Sequence, residues 1–368
     1  MIRTLAKATL FIASSALSIS AIAQNTPRKP ASKTATAHYY AQRPQAMQFA
    51  DDLAGRRGLD REWVRQAIGQ ARLLPQVPRL VLPPAKGTPK NWAAYRARFV
   101  EPVRIRAGLR FWQDNAPALE RAQAHYGVPA EIIVGVIGVE TLYGRHMGGF
   151  KVIDALATLA FDFPDAHPRA GERRAFFQRE LEQFLTLMDR TGIDPHTPRG
   201  SYAGAMGLGQ FMPSSWARHA VDFDGDGRID LWRSAHDAIG SVANYFVGHG
   251  WQTGMPTHYP VALDTTTAQL DALLAPDILP TFSAASMADQ GAQLLEGGAR
   301  HAGPLALVEL QNGSAAPSYV AGTENFYAVT RYNWSSYYAL AVIELGQAVA
   351  AARASAEARA SAEPITAP

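Results

Sequence analysis

The sequence predicts a mainly α protein, α+β in class, that carries one small β-containing insertion, and three observations lead there. Apolar residues recur three and four apart over most of the chain between residues 44 and 248, and again from 337 to 352. From Trp251 to Glu324 that rhythm gives way to prolines, glycines and short apolar runs such as Tyr259 to Leu263 and Leu305 to Gln311. The 368 residues are 47% apolar, 18% charged and free of cysteine, so one large core or two modest ones must be held by packing alone.

Residues 1–23 open with Arg3 and Lys7, continue through an apolar run from Ala8 to Ile19 and end in Ala21-Ile22-Ala23. This is the layout of a secretory signal cleaved after Ala23, and the run is shorter than the roughly 20 apolar residues a spanning helix needs. Residues 24–38, rich in Pro, Lys, Thr and Ala, read as a disordered leader. A helical domain follows over 39–128, with helices expected at 44–57, 60–73 and 91–126. The central region, 129–250, is expected to hold helices at 129–147, 150–161, 170–191 and 235–248; Phe177, Leu181, Phe184, Leu185 and Met188 form the core-facing set of the third. The β-containing unit spans 251–324, residues 325–352 return to the helical body, and 353–368 read as a disordered tail.

Removing the signal with its two cations lowers the formal charge of +3 by two, which leaves no electrostatic footprint for nucleic acid. Without a cysteine to carry lipid, the mature chain is expected to be soluble and monomeric with no membrane anchor, and periplasmic in a host with two membranes.

Counting three, four and seven residues from Ile137, Val136 and Ile133 lands on Glu140, so this carboxylate belongs to the apolar stripe of its helix. Desolvation there raises a carboxyl pKa and keeps the acid able to protonate a leaving oxygen near neutral pH. Periodicity alone equally allows a Glu140 that pairs with Arg145 or caps a neighbouring helix. Glu131, Glu180 and Glu182 read as solvated helix faces, and Asp154, Asp162 and Asp165 as caps or turns, so no second carboxylate of the usual glycosidase pair declares itself.

The run from Arg199 to Trp216 places Gly204, Gly207 and Gly209 among Ser201 and Gln210, which suits either the wall of a sugar site or a loop packing two helices together. Its spacing matches no phosphate-binding pattern. Asp222, Asp224, Asp226 and Asp230 occupy positions 1, 3, 5 and 9 of a calcium-loop pattern, with Gly227 at the sharp turn and Arg228 placed to offer its carbonyl. Position 12 is Arg233, so Asp237 is the nearest carboxylate able to close this EF-hand-like loop over 222–237 around a structural Ca2+. Tyr95, Tyr245, Tyr332, Tyr338, Trp334 and Trp251 could stack on sugar rings, although aromatics are core residues far more often.

Five strings, E-I-I-V-G-V-I-G-V-E-T-L-Y-G-R at 131–145, G-S-Y-A-G-A-M-G-L-G-Q-F-M-P-S-S-W at 200–216, the D-F-D-G-D-G loop, S-V-A-N-Y-F at 241–246 and N-F-Y-A-V-T-R-Y-N at 325–333, together resemble the lytic murein transglycosylase B family over roughly residues 90–350. The resemblance implies a lysozyme-like helical catalytic core with an added helical domain and a small β domain, acting on peptidoglycan glycan strands. It implies that Glu140 is the sole acid/base and that a 1,6-anhydro ring closes on the muramyl residue. It also implies glycan subsites lined by Ser201, Gln210, Tyr245, Tyr332, Asn333, Tyr338 and Tyr95, with Arg173 and Arg174 meeting the muramyl carboxylate or peptide. A lysozyme-type hydrolase on the same scaffold, and a calcium-stabilised wall-binding protein without turnover, are the competing functional readings.

Overall fold

Prolines and left-handed residues cut the helical rhythm into shorter pieces than periodicity alone suggests. A computed structural model describes residues 38–83 and 89–362, which form two compact units. One unit combines residues 89–146 with 219–362 and the other combines 38–83 with 147–218, so both cut across the boundaries expected at 128 and 250. The signal at 1–23, residues 24–37 of the leader and residues 363–368 of the tail lie outside the described residues.

In the unit of 38–83 and 147–218, Pro44 opens the helix Pro44–Arg57 at a position where its missing N–H costs nothing, and Gly58 (φ 65°) ends it. Asp60 caps the next helix, Arg61–Gly69, by accepting from the Trp63 N–H at 2.7 Å. The helices Val152–Phe161 and Ala170–Thr191 bury Leu156, Leu159, Phe177, Leu181, Phe184, Leu185 and Met188. A two-stranded antiparallel ribbon, β1 (Phe150–Lys151) with β2 (Arg199–Gly200), ties the chain entering the first of these helices to the chain leaving the second. Gly148 is irreplaceable there, since a Cβ on it would meet the Gly200 carbonyl oxygen at 2.1 Å. Glu180 corrects the solvated-face expectation. It is 2% exposed and accepts from both the N–H and the hydroxyl of Ser214, which meets its hydrogen-bonding needs inside the core.

In the unit of 89–146 and 219–362, the stretch expected as one helix over 91–126 is three: Trp92–Arg96, Pro102–Asp114 and Ala116–Tyr126. Pro102 and Pro117 each fall in a first turn, where proline starts a helix because it cannot continue one. The helix Ala130–Thr141 stops at Leu142 (φ 50°), short of the expected Met147. It is buried on every side except at Glu131, rather than on one stripe. Its main partner is the long terminal helix Ser336–Ala362. A Cβ on Gly135 would lie 2.2 Å from the Val342 carbonyl oxygen, and one on Gly346 would lie 2.1 Å from that of Glu131, so the two backbones touch at paired glycines.

That terminal helix is long and apolar enough to cross a membrane, but its apolar first half is the core of this unit, with Leu340, Val342, Ile343, Leu345 and Val349 buried. It also runs ten residues past the expected end at Ala352, because the Ala-rich sequence favours helix and Arg353 pairs with Glu357 one turn on at 2.8 Å. The expected β-containing segment forms a four-stranded antiparallel sheet from β3 (His258–Leu263), β4 (Ala292–Leu294), β5 (Ala306–Asn312) and β6 (Ala315–Gly322), in the order β4-β3-β6-β5. Its own small core is Leu273, Met287, Ala292, Leu305, Leu307 and Ala321.

Candidate active site

Glu140 sits in the last turn of Ala130–Thr141 and is 8% exposed. Its carboxylate does not pair with Arg145, which points to solvent. Instead the Tyr338 hydroxyl, itself buried, donates to Oε1 at 2.6 Å. Burial pushes the Glu140 carboxyl up to about 7, while the Tyr338 hydrogen bond pulls it down. Its place at a helix C-terminus, the negative end of the helix dipole, adds to the upward push.

The end of this helix is built to hold that geometry. Leu142 and Tyr143 both take left-handed backbone, turning the chain so that the Tyr143 side chain folds back against the helix. There its hydroxyl fills the space at Gly108 and Gly138 that any larger residue would need. Arg104 donates to the Gly138 carbonyl oxygen at 2.6 Å, satisfying one of the last-turn acceptors. Neither Arg104 nor Tyr143 stands out in the sequence, since an arginine in an amphipathic helix and a tyrosine after a glutamate carry no pattern of their own.

Around Glu140 the same unit assembles a stack of aromatic rings. Tyr332 lies parallel to Tyr338 with centroids 6.1 Å apart, Tyr245 packs on Tyr332 at 4.7 Å, and His249 stacks on Tyr245 at 4.0 Å. The Tyr245 hydroxyl donates to the Arg331 carbonyl oxygen at 2.8 Å, which holds its ring edge-on to Phe246. Burial and the charge of Glu140 hold the Tyr332 and Tyr338 phenols protonated and push that of the half-buried Tyr95 up to about 12. Asn333, also buried, ends the helix Glu324–Asn333 that carries Tyr332. Five of the sequence candidates, Glu140, Tyr95, Tyr245, Tyr332 and Tyr338, thus share one electrostatic and aromatic neighbourhood; His249 and His219 join the stack with no sequence signal to mark them.

Four further candidates, Ser201, Gln210, Arg173 and Arg174, belong to the other unit. Ser201 and Gln210 lie in one tightly folded loop, where Ser201 accepts from the Ala205 N–H at 3.0 Å and Gln210 (φ 50°) donates to the carbonyls of Gly207 and Met147. Arg173 is buried beside Phe176 and Phe177, and its Nη1 has no hydrogen-bond partner among the described residues. Arg174 is already engaged by the Phe163 carbonyl and by Asp165 at 2.7 Å.

Of the six expected metal ligands, the loop brings three carboxylates together: oxygens of Asp222, Asp224 and Asp237 lie within 4.8 Å of one another. That is the span of oxygens facing each other across a cation that binds each at roughly 2.3–2.6 Å, so the donor set fits Ca2+. Asp237 is 1% exposed and accepts from the N–H groups of Phe223 and Asp230, both at 2.8 Å. Asp226 and Asp230 stand outside the group of three, and their oxygens accept from the backbone of Arg228 and of Trp232 and Arg233. Arg228 contributes its backbone to the same turn.

A family model described as the transglycosylase SLT domain matches residues 41–347. Membrane-bound lytic murein transglycosylase B of Escherichia coli K12 is 42% identical over 323 residues, 85% of each chain. Among solved structures, soluble lytic transglycosylase SltB1 from Pseudomonas aeruginosa is 39% identical with a TM-score of 0.75, covering 84% of this chain and all of that one. The E. coli lytic transglycosylase Slt35 in complex with calcium is 41% identical with a TM-score of 0.73, covering 86% of this chain and 95% of that one. The mainly α, lysozyme-like architecture expected from the sequence is the architecture of these neighbours.

Proposed function

Because the chain belongs to the transglycosylase SLT family, we propose that it is a peptidoglycan lytic transglycosylase whose single acid/base is Glu140. The observation that carries the assignment is the buried Glu140 carboxyl, raised to about 7 and held by the Tyr338 hydroxyl at 2.6 Å. In its protonated form, well populated near neutral pH, it gives its proton to the oxygen joining N-acetylmuramic acid to N-acetylglucosamine, and the bond from that oxygen to the muramyl C1 breaks. As a carboxylate it then takes the proton of the muramyl C6 hydroxyl, whose oxygen bonds to C1. The products are a free N-acetylglucosamine hydroxyl and a 1,6-anhydromuramyl end, and no water is consumed.

Tyr95, Tyr245, Tyr332, Asn333 and Tyr338 line the glycan path in this reading, with Ser201, Gln210, Arg173 and Arg174 as further substrate contacts. The spare donor of Arg173 suits a carboxylate, whereas Arg174 would first have to release Asp165. Asp222, Asp224 and Asp237 hold a structural Ca2+, which when bound supplies charge neutralisation to the loop. The signal at 1–23 directs export, so the enzyme meets its substrate in the periplasm.

The test is mass spectrometry of products released from peptidoglycan sacculi by the protein and by its Glu140→Gln variant. Anhydromuropeptides from the unmodified protein alone are expected. Reducing-end products would replace the reading with a hydrolase, and no release would replace it with a binding protein.

A further inference from the structure

Beside the Glu140 cluster, the unit of 89–146 and 219–362 contains a second concavity that shares only Tyr95 with the glycan path proposed above. Its volume is about 320 Å³, and its walls include Tyr95, Trp334 and Tyr337. Two of these connect it to the active site: Tyr95 feels the charge of Glu140, and Tyr337 precedes the residue that bonds it.

Two cations stand over those rings. The Lys90 ammonium is 5.9 Å from the centre of Tyr337, and the Arg98 guanidinium is 5.0 Å from that of Tyr95. Both side chains are exposed, and among the described residues neither forms an ion pair, although elsewhere in the molecule arginines find carboxylates readily. One acid, Asp277, also lines the pocket, so positive charge is in excess. Trp334 is fixed with its backbone left-handed (φ 47°) and one face covered by the Arg331 guanidinium at 4.0 Å, which makes it a rigid wall. Aromatic walls with two uncommitted cations suit a ligand that has both apolar area and a carboxylate. The sugars of a glycan strand do not meet that description, because the lactyl carboxylate of a muramyl residue is consumed in the amide that attaches its peptide. The peptide itself does, through its free carboxylates.

We propose that this pocket binds the carboxylate-bearing peptide stem of the glycan substrate, with Lys90 and Arg98 as its anion-binding pair and Tyr95, Trp334 and Tyr337 as its walls. The proposal rests on the transglycosylase reading for the identity of the ligand, and it makes Lys90 and Arg98 specificity determinants that take no part in bond cleavage. The test is calorimetric titration of the full chain carrying Glu140→Gln, which does not consume its ligand. The two ligands are a tetrasaccharide with pentapeptide stems and the same tetrasaccharide with each stem replaced by a methyl amide, so that no lactyl carboxylate is freed.

The stem-bearing ligand is expected to bind more tightly. Adding Lys90→Glu and Arg98→Glu should raise its Kd by about tenfold or more while leaving the Kd of the bare glycan unchanged, as expected for two charge-assisted contacts. Unchanged binding of the bare glycan also reports that the variant is folded, and Lys90→Met with Arg98→Met should give a smaller change in the same direction. Equal affinity for the two ligands before the reversal, or equal loss for both after it, overturns the pocket assignment alone. Binding of neither ligand overturns the pocket assignment together with the glycan reading.

Discussion

Replacing Glu140 with Gln should make the protein more stable, and more so as the pH rises. The carboxyl titrates from the ordinary value of 4.5 in the unfolded chain and near 7 in the fold, because burial penalises its charged form. The raised acid favours the fold fully below 4.5, where both states hold the proton. Between 4.5 and 7 the unfolded chain releases its proton while the native protein keeps it, so stability is lost through that window and is level above it. A displacement of that size costs about 3 kcal/mol in full, of which about 2.5 kcal/mol develops between pH 5 and pH 8. Gln carries no such cost and can still accept from the Tyr338 hydroxyl. Any pH-independent change in packing cancels when the wild-type-to-variant difference at pH 8 is compared with that at pH 5. Urea unfolding followed by circular dichroism at the two pH values should show that comparison directly, and thermal melting should show it as roughly 3–5 °C. A stability difference that is flat with pH, or larger at pH 5, would refute the claim that the fold holds Glu140 protonated.

Tyr338→Phe removes a donor that favours the carboxylate, so the Glu140 carboxyl should rise further. At about 1.5–3 kcal/mol for a hydrogen bond to a charged group, the alkaline limb of the kcat/KM profile should move up by about one to two pH units, and an unmoved limb would dissociate Tyr338 from the acid. Calcium at a hundred times its Kd should stabilise the protein by about 2.7 kcal/mol and raise its melting temperature, and Asp237→Ala should abolish that gain; identical melting in calcium and in excess chelator would remove the metal from the loop. Gly135→Ala should cost about 1–3 kcal/mol or more, because its Cβ would enter the Val342 carbonyl at 2.2 Å. Gly171→Ala, with nothing within 4 Å, should instead stabilise its helix by up to about 1 kcal/mol, which urea unfolding of the two variants can compare.

Elements with a local stop signal at each end were legible in the sequence. Pro44 and Gly58 bracket one helix, and the Ser234 cap starts another at Ala235, as periodicity suggests. Glu140 was legible as a misplaced charge, because an apolar neighbourhood three, four and seven residues back is a local fact. What periodicity could not supply is whatever depends on distant chain. Tyr338, 198 residues from Glu140, decides whether that carboxylate is a paired surface group or a buried acid, and only the fold brings the two together. Glu180 looked solvated for the same reason, since Ser214 arrives from 34 residues away. The boundary expected at 128 failed because Gly135 and Gly346 let the Glu140 helix seat on the terminal helix, tying the middle of the chain to its end.

A glycosidase that activates water needs an ionised second carboxylate facing the sugar. In the unit that holds Glu140, the side chains whose acidity is altered by its charge are the phenols of Tyr95, Tyr332 and Tyr338, and they stay neutral. The acids that the sequence offers as partners are already engaged: Asp154 accepts from the Arg72 N–H, Asp162 from Arg43 and Tyr40, and Asp165 from Arg174. Neutral phenols leave the ionisation of Glu140 to burial and one hydrogen bond, whereas a nearby second carboxylate would have pushed the two pKa values apart. An acid that must first give a proton and then take one back works best with a pKa near the pH at which it operates, where neither form is scarce. A Glu140 carboxyl near 7 meets that condition, so one carboxylate can serve both halves of a reaction in which the substrate's own hydroxyl is the nucleophile.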